Sequence, residues 1–275
     1  MKRKFDFYIV PTPIGNISDI TLRAIEVLKE VDLIACEDSR VTQKLLNHYD
    51  IKTKCISYHK YNEKERVDFM LNTLREGKTI ALVSDAGTPM ICDPGSVLLT
   101  ELRKNNIKVS ALSGSCAVTT FLSQVPRDTE EFKFVGFLPK GEKQIQDLYS
   151  ENKFTNMVFY ESPNRILKTL KSIQQVAPNI KVAIGRELTK MFEEIVIDDI
   201  EKVIEHFSGE IKGEFVAMTY AQEKTELSEM KDKIEALREQ GFKSKEISII
   251  LSTLYNLNKN DIKSLLYWYG GKVQR

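Results

Sequence analysis

One loop of this sequence carries more turn-forming and acidic residues than a simple connection needs. It runs from Ser84 to Gly95, contains two glycines, two prolines and two aspartates, and follows the apolar segment Thr79–Val83. That segment is typical of a buried strand. Ligands of open α/β sheets bind at the carboxyl ends of the strands. The loop is therefore a candidate binding site.

A helix start accounts for only part of this loop. Asp93 and Pro94 fit an N-cap and a first helical residue, and they precede the amphipathic segment Val97–Arg103. The residues that such a cap leaves unexplained are Asp85, Gly87, Thr88 and Pro89.

Two further loops have a similar composition at predicted strand ends, Val10–Asn16 and Ala111–Ala117. Neither has the glycine spacing of a dinucleotide fingerprint or the Lys-Ser/Thr pair of a Walker loop, which argues against NAD and ATP. We expect the three loops to converge on one cleft. Small residues and carboxylates without phosphate-binding groups favour a nucleoside-type ligand, whose ribose hydroxyls donate to carboxylate oxygens.

The elements that position these loops predict a doubly wound α/β domain over residues 1–125. Short apolar segments alternate there with helical patterns, as in βα units around a mainly parallel sheet. Asn62 and Glu65 form a capping-box pattern before one helix. The predicted strands are Phe7–Val10, Leu33–Cys36, Cys55–Tyr58, Ile80–Val83 and Val109–Leu112.

A second α/β domain is predicted over residues 126–222, after the polar linker Pro126–Glu131. We expect two helices in it, one beginning at Ser162-Pro163, and a sheet of mixed direction because residues 181–197 resemble a hairpin. The predicted strands are Phe132–Leu138, Met157–Tyr160, Lys181–Ile184, Glu193–Ile197 and Phe215–Tyr220.

A C-terminal helical domain is predicted over residues 223–275, with helices near 230–240, 244–256 and 260–268. Basic residues and aromatic residues are mixed along it, which suits contact with nucleic acid. A small solvated appendage with an aromatic core fits the same pattern. The residues concerned are Lys243, Lys245, Tyr255, Lys259, Lys263, Tyr267, Trp268, Tyr269, Lys272 and Arg275.

Composition limits the function further. The 275 residues carry a formal net charge of +1, so no global field attracts the chain to nucleic acid and local patches must do so. The four cysteines are far apart, and the three histidines have no metal-ligand spacing. No apolar run approaches the length needed to cross a bilayer. We therefore expect a reduced, cytoplasmic protein without a metal and without a membrane contact.

Six ordered motifs resemble one family, the bacterial 16S rRNA (cytidine-2'-O)-methyltransferases of the tetrapyrrole-methylase (uroporphyrin-III C-methyltransferase-like) superfamily. The resemblance covers residues 5 to about 222 in order, and the tail resembles a helical domain often appended to that family. The motifs are Pro11–Asn16 with Asp19-Ile20, Ala35–Arg40, Ser84–Gly95, Phe134–Pro139, Glu161–Arg165 and Gly185–Lys190.

The resemblance implies S-adenosylmethionine as the methyl donor, bound between two α/β domains of a homodimer. The substrate it implies is the ribose of a decoding-centre cytidine in the 16S rRNA of the small ribosomal subunit. Carried over by position, the residues of the cofactor cleft are Pro11, Asp85, Gly87, Thr88, Ser115, Cys116 and Tyr160.

The sequence also departs from the family pattern. Ser113–Cys116 replaces a Pro-Gly-Pro-Ser segment, which loosens that loop, and Cys92 stands where serine is common. An Arg-Gly pair often found after the strand at Glu193 is absent, which weakens one phosphate contact.

Methyl transfer to a ribose hydroxyl is an in-line displacement in which the hydroxyl must lose its proton. We expect Glu187 to be the base or an orienting group. The further candidates are the carboxylates Glu37, Asp38, Glu193 and Glu194 and, if burial lowers its pKa, Lys190. Lys190 is also expected, with Arg40 and Arg186, to hold phosphate or to stabilise the alkoxide. For each of these residues taken singly, a structural role fits as well as a catalytic one. Asp38 or Ser39 fits a helix cap, and interdomain salt bridges fit Arg186, Glu187 and Lys190. The arginines expected to hold RNA phosphate are Arg40, Arg165 and Arg186, although Arg165 fits a partner carboxylate equally well.

Two other functions remain open at this stage. One is a methyltransferase of the same fold that acts on a tetrapyrrole, another small molecule or a protein side chain, against which the motifs at Glu37–Arg40 and Arg186–Lys190 argue. The other is a non-catalytic ribosome-binding protein, against which the intact Asp85, Gly87 and Thr88 argue.

Overall fold

The structure is a computed structural model that describes residues 5–59, 62–209, 212–223 and 226–255, with Ile262 and Leu266. The chain divides into two compact units, Met1–Ala221 and Gln222–Arg275. The larger unit contains two five-stranded sheets, and the smaller one is helical. The predicted fold class, two α/β lobes followed by C-terminal helices, is confirmed.

The first sheet is parallel throughout and has the strand order β3-β2-β4-β1-β5. Every strand predicted for it is present, with ends that differ by at most one residue. Its strands are β1 Phe7–Ile9, β2 Leu33–Cys36, β3 Cys55–Ser57, β4 Ile80–Val83 and β5 Val109–Ala111. Its helices are α1 Leu22–Glu30, α2 Ser39–His48, α3 Glu63–Arg75, α4 Ser96–Lys104 and α5 Ala117–Leu122.

Helices cover both faces of this sheet, which is why its central strand is apolar at every position. Ile80 and Leu82 of β4 belong to one buried cluster together with α3 and α4. Ala81 and Val83 belong to another together with α1 and α2. Because side chains alternate along a strand, four consecutive apolar residues supply two faces of the core.

The second sheet is mixed and has the strand order β6-β7-β10-β8-β9, in which only β6 and β7 are parallel. The predicted hairpin is present as the antiparallel pair β8 and β9. Its strands are β6 Phe132–Phe137, β7 Asn156–Glu161, β8 Lys181–Arg186, β9 Glu194–Asp199 and β10 Phe215–Thr219.

The prediction of two helices in the second lobe is wrong, since the described residues contain α6 Glu142–Asn152, α7 Ile166–Gln174 and α8 Ile200–His206. The third helix has only seven residues and two buried positions, Ile200 and Val203. Two turns of helix carry too little periodicity to be recognised from sequence.

Helix α5 joins the two lobes. Its Val118 and Phe121 share a buried cluster with Val158 of β7, Ala183 of β8 and Val216 of β10. The predicted boundary between domains 1–125 and 126–222 therefore falls inside the compact unit, and it remains a prediction together with the third domain, 223–275.

Asn62 is the N-cap of α3 as predicted, but without a side-chain hydrogen bond to the helix, and the predicted cap of α4 by Asp93 is wrong. Asn62 uses its side chain on the preceding turn, where Oδ1 accepts from the His59 N–H at 2.8 Å and Nδ2 donates to the Ser57 carbonyl. The N-cap of α4 is Gly95, with a φ of 138°, and not Asp93. Glycine tolerates this conformation without strain, so the chain turns into α4 two residues after Asp93.

The start of α2 agrees with the prediction, and the start of α7 does not. Asp38 does cap α2, because its side chain accepts from the Arg40 N–H. The predicted helix start at Ser162-Pro163 is wrong, since the N-cap of α7 is Arg165. The Ser162 carbonyl accepts from the Arg165 and Ile166 N–H groups at 3.0 Å in the turn before the helix.

The C-terminal unit contains α9 Glu226–Glu239 and α10 Ser244–Tyr255. Its buried cluster consists of Met230, Ile234, Ile247, Leu251, Ile262 and Leu266. Apart from Ile262 and Leu266, the predicted third helix lies outside the described residues, as do Lys259, Lys263, Tyr267, Trp268, Tyr269, Lys272 and Arg275. Among the helices that the structure describes, none is long and apolar enough to cross a membrane.

Candidate functional site

A cavity of about 380 Å³ lies between the two sheets, at the edge where β4, β5 and β7 end. The first lobe contributes Ile14, the loop after β4 and the start of α5. The second contributes Phe137, the end of β7, Leu188 and the start of β10. The lining residues that matter below are Asp85, Gly87, Thr88, Cys92, Asp93, Cys116, Phe137, Tyr160, Glu161, Leu188 and Glu214.

Hydrogen bonds join the three predicted loops at the floor of this cavity. Thr12 and Gly87 exchange two backbone hydrogen bonds of 2.9 Å, and Gly87 adopts a φ of 78°. The Thr88 hydroxyl donates to the Ser115 carbonyl at 2.9 Å. Glycine is required at position 87 because a side chain is strained at this φ. The loops after β1, β4 and β5 therefore form one rigid surface.

Five of the seven residues predicted to bind the cofactor line the cavity: Asp85, Gly87, Thr88, Cys116 and Tyr160. The other two support the loops. Pro11 is buried against Gly114, where an added Cβ would lie 2.6 Å from the Pro11 Cβ. The Ser115 hydroxyl donates to the Asp19 carbonyl at 3.2 Å. The cofactor roles themselves remain predictions.

Several acidic side chains lie close together on the side of the cavity that the first lobe forms. Asp85 Oδ1 accepts from the Asp38 N–H at 2.9 Å, which joins the loops after β2 and β4. Burial, together with Asp85, raises the pKa of Asp93, although a hydrogen bond from Ser84 opposes this. Burial, Asp85 and Asp93 raise the pKa of Glu37.

Glu37 lines a separate, smaller cavity of about 10 Å³. Tyr58, Ser84 and Asp93 line it as well, so Asp93 borders both cavities. The smaller cavity has room for about one water molecule.

Aromatic rings form part of the wall from the second lobe. The ring centroid of Tyr160 lies 5.0 Å from that of Phe134 and 5.5 Å from that of Phe137. Phe137 is 59% exposed. Burial raises the pKa of Tyr160, so its phenol stays protonated at neutral pH. This wall offers flat apolar surface with one hydroxyl.

Arg165 is used inside the protein. Its Nη2 lies 3.2 Å from Oε2 of Glu161, a carboxylate with a fully buried side chain, and donates to the carbonyls of Leu138 and Pro139. The predicted alternative, a partner carboxylate, is what the structure contains. These contacts all use Nη2 and anchor the guanidinium within the second lobe, and its binding of RNA phosphate remains a prediction.

Glu187 and Lys190 form a network with Glu214. Lys190 Nζ lies 2.8 Å from Glu187 Oε1 and 3.0 Å from Glu214 Oε2, and the Glu214 N–H donates to Glu187 Oε1 at 3.0 Å. All three residues belong to the second lobe, so the predicted interdomain bridge is wrong for this pair. Among the described residues, Glu214 and the intervening Leu188 line the cavity, whereas Glu187 and Lys190 do not.

This network sets the charge of both residues. Burial by itself would raise the pKa of Glu187, but hydrogen bonds from Lys190 and the Glu214 N–H lower it. Burial by itself would lower the pKa of Lys190, but the two glutamates raise it. The condition under which Lys190 was a candidate base, a lowered pKa, is therefore not met.

The other two arginines lie near the ends of β2 and β8. Arg40 is 87% exposed at its side chain and pairs with Asp38 at 2.6 Å. Arg186 donates from Nε to the Lys212 carbonyl at 2.9 Å, and its Nη1 lies 3.9 Å from Glu194. Their binding of RNA remains a prediction.

Several residues of the cavity are not predicted from the sequence, among them Asp93, Phe137 and Glu214. The sequence around Asp93 predicts a helix cap, although the residue lies in the candidate loop. Phe137 belongs to a motif that was noted without a role. Glu214 follows no predicted strand end, and it reaches the cavity because β10 runs antiparallel to β7 and β8. In the part of the chain that the structure describes, no cluster of three His, Cys, Asp or Glu residues is arranged to hold a metal.

Residues 6–204 match the sequence profile of the tetrapyrrole (corrin/porphyrin) methylases. Similar proteins bear the name ribosomal RNA small subunit methyltransferase I. The protein from Halalkalibacterium halodurans is 41% identical over 276 residues, which covers 96% of this chain and 95% of that protein. The protein from Vibrio cholerae serotype O1 is 40% identical and covers 92% and 91% of the two chains.

Solved structures share the fold at low identity. Diphthine synthase superposes with a TM-score of 0.64 at 13% identity and covers 80% of this chain and 91% of that one. Uroporphyrin-III C-methyl transferase from Thermus thermophilus, complexed with S-adenyl homocysteine, superposes with a TM-score of 0.53 at 17% identity and covers 77% and 96%.

Proposed function

Because this chain belongs to the tetrapyrrole (corrin/porphyrin) methylase family, we propose that it is an S-adenosylmethionine-dependent methyltransferase that acts on the small-subunit rRNA. The finer proposal is methylation of the 2'-hydroxyl of a decoding-centre cytidine. One observation carries the rRNA assignment: relatives named rRNA small subunit methyltransferase I are about 40% identical over more than nine tenths of the chain.

The cavity fits a nucleoside-type donor in size and chemistry. Its volume of about 380 Å³ falls within the range of small-molecule sites. Tyr160 and Phe137 offer apolar surface to a base, the Asp85 carboxylate accepts from ribose hydroxyls, and Gly87 lets backbone approach the ligand closely. S-adenosylmethionine, when bound, supplies an electrophilic methyl group.

The chain's own residues then align the acceptor. Glu187 and Lys190 hold the loop after β8, and their mutual pairing suits Glu187 better to an orienting role than to accepting a proton. Exposed Arg40 and partly exposed Arg186 are the arginines that we assign to phosphate contact. Alignment and exclusion of water supply much of the rate of such a displacement. We propose a cytoplasmic homodimer as the working form.

Methyl labelling tests the function directly. Purified protein with radiolabelled S-adenosylmethionine should label small ribosomal subunits from cells that lack the enzyme, and the label should survive alkaline hydrolysis because a 2'-O-methyl group blocks cleavage. Label transferred to a tetrapyrrole precursor and not to RNA would contradict the proposal.

Donor binding is tested separately by calorimetry with S-adenosylhomocysteine. Asp85→Ala should abolish binding, and Asp85→Asn, which keeps the acceptor for the Asp38 N–H, should weaken it. Asp68→Ala is the matched control, since Asp68 is exposed on α3. Equal affinity in all four proteins, wild type included, would place the donor elsewhere.

A further inference from the structure

The proposed reaction needs a group that accepts the proton of the ribose hydroxyl. Among the described residues, four carboxylates line the cavity: Asp85, Asp93, Glu161 and Glu214. A base must have a free lone pair within hydrogen-bond reach of the acceptor and a pKa near the working pH. Their contacts and environments separate the four.

Glu161 is committed to its own lobe. Its side chain is fully buried, Oε1 accepts from the Ser162 N–H at 2.9 Å, and Oε2 accepts from the Thr169 hydroxyl at 2.8 Å and faces Arg165. Both oxygens are therefore engaged by partners of the second lobe and are not available to a substrate in the cavity.

Glu214 and Asp85 form other contacts at the rim of the cavity. The side chain of Glu214 is 74% exposed and pairs with Lys190 at 3.0 Å, which places its charge in solvent. Asp85 is exposed and holds the Asp38 N–H at the start of α2. Both carboxylates are exposed to solvent and hold residues of neighbouring loops.

Asp93 has the surroundings that a base requires. It is half-buried, it borders both cavities, and α4 begins at Gly95 without its help. Burial and then Asp85 raise the pKa of Asp93, against a hydrogen bond from Ser84, which brings the pKa closer to neutral pH. The other titratable groups that face it are Glu37, Cys92, Tyr160 and, across the smaller cavity, Tyr58, and none of them is cationic.

We propose that Asp93 is the catalytic base, which extends and rests on the proposed function. The ribose O–H bond breaks and its proton goes to the Asp93 carboxylate. The electron pair of the oxygen forms the new O–CH₃ bond, and the pair of the broken S–CH₃ bond stays on sulfur, which becomes a neutral thioether. Atoms and charge balance without a metal or a further reactant.

The smaller cavity gives the proton a route away from the site. The space bordered by Asp93, Ser84 and Glu37 has about the size that one water molecule needs. Burial and the two nearby aspartates raise the pKa of Glu37, so this carboxylate takes up a proton more readily than an exposed glutamate. Glu37 therefore serves as a relay group behind Asp93, in place of the direct role expected from sequence.

Asp93→Asn tests the proposal, because it keeps the shape of the side chain and removes the base. Single-turnover methyl transfer to small subunits should fall by about 10²- to 10⁴-fold, the usual contribution of a general base. Affinity for S-adenosylhomocysteine by calorimetry should stay within about twofold of wild type, since general-base action is exerted only during transfer. Asp93→Glu should restore part of the rate.

The pH profile separates Asp93 from Glu187, the base candidate expected from sequence. In wild type the rate should rise with pH, with unit slope, up to the raised pKa of Asp93, and Glu187→Gln should keep this limb while Asp93→Asn removes it. Thermal melting checks that each variant is folded.

Three results would overturn the assignment: an Asp93→Asn rate within tenfold of wild type, a retained acidic limb in that variant, or loss of S-adenosylhomocysteine binding, which would make Asp93 a donor ligand. Wild-type protein that binds the donor analogue and methylates no rRNA refutes the proposed function, and the role of Asp93 with it.

Discussion

The contact between the loops after β1 and β8 sets the spacing of the two lobes, and Gly15→Ala should disturb it. A Cβ at position 15 would lie 2.5 Å from Lys190 Cγ, 2.7 Å from Thr189 Oγ1 and 2.8 Å from the Leu188 carbonyl oxygen. The lysine methylene can rotate away. The carbonyl oxygen is backbone, so one of the loops has to move.

The expected loss in the free energy of unfolding of Gly15→Ala follows from two contacts. Overpacking of a tight site costs about 1–3 kcal/mol. Displacement of the loop also breaks the hydrogen bond from the Asn16 N–H to Thr189 Oγ1, 3.0 Å long, whose net value is about 0.5–1.5 kcal/mol. Replacing glycine by alanine also stabilises the protein by about 0.4–1 kcal/mol, because it lowers the conformational entropy of the unfolded chain. We expect a net loss of about 1–4 kcal/mol in the free energy of unfolding.

The cavity should change as well, since Ile14 and Leu188 line it from opposite lobes and flank this contact. Urea unfolding measures the stability, and calorimetry with S-adenosylhomocysteine measures the affinity, which we expect to fall. Gly209→Ala is the matched control, because a Cβ there meets no heavy atom within 4 Å. A Gly15→Ala protein as stable and as tightly binding as Gly209→Ala would refute the argument.

Two further predictions concern charged pairs. Arg165→Met should lower the free energy of unfolding by about 3 kcal/mol, because it leaves the buried Glu161 carboxylate without its cation. Denaturant unfolding measures this loss, with Arg103→Met at an exposed site as the control. Equal stability of the two variants would contradict the prediction. Hydrogen bonds from the Arg40 side chain and backbone N–H lower the pKa of Asp38 to about 2. The ionised carboxylate therefore stabilises the fold at a pH above the pKa of Asp38 in the unfolded chain, and this contribution is lost as the pH falls toward 2. Arg40→Gln should raise the pKa of Asp38 in a carboxyl NMR titration, and an unchanged titration would rule out the pairing as its cause.

Local patterns in the sequence were sufficient for the strands. The segment Ile80–Val83 is apolar at every position because both faces of its sheet are covered, and turn-forming residues bound it on the side of the cavity. Such signals depend on neighbours within a few residues, so all ten strands could be predicted from them. The short helix at Ile200–His206 lacked enough periodicity.

The sequence by itself determined which loops carry the site, since glycine, proline and aspartate after an apolar strand report local backbone geometry. The tertiary structure decided what each carboxylate does. Glu187 meets the Glu214 N–H from 27 positions away, and Asn16 meets Thr189 from 173 positions away. Asp93 fits a helix cap by sequence, but it borders the cavity because Gly95 takes over the turn. Burial and long-range pairing set the charge of a side chain, and both exist only after the chain has folded.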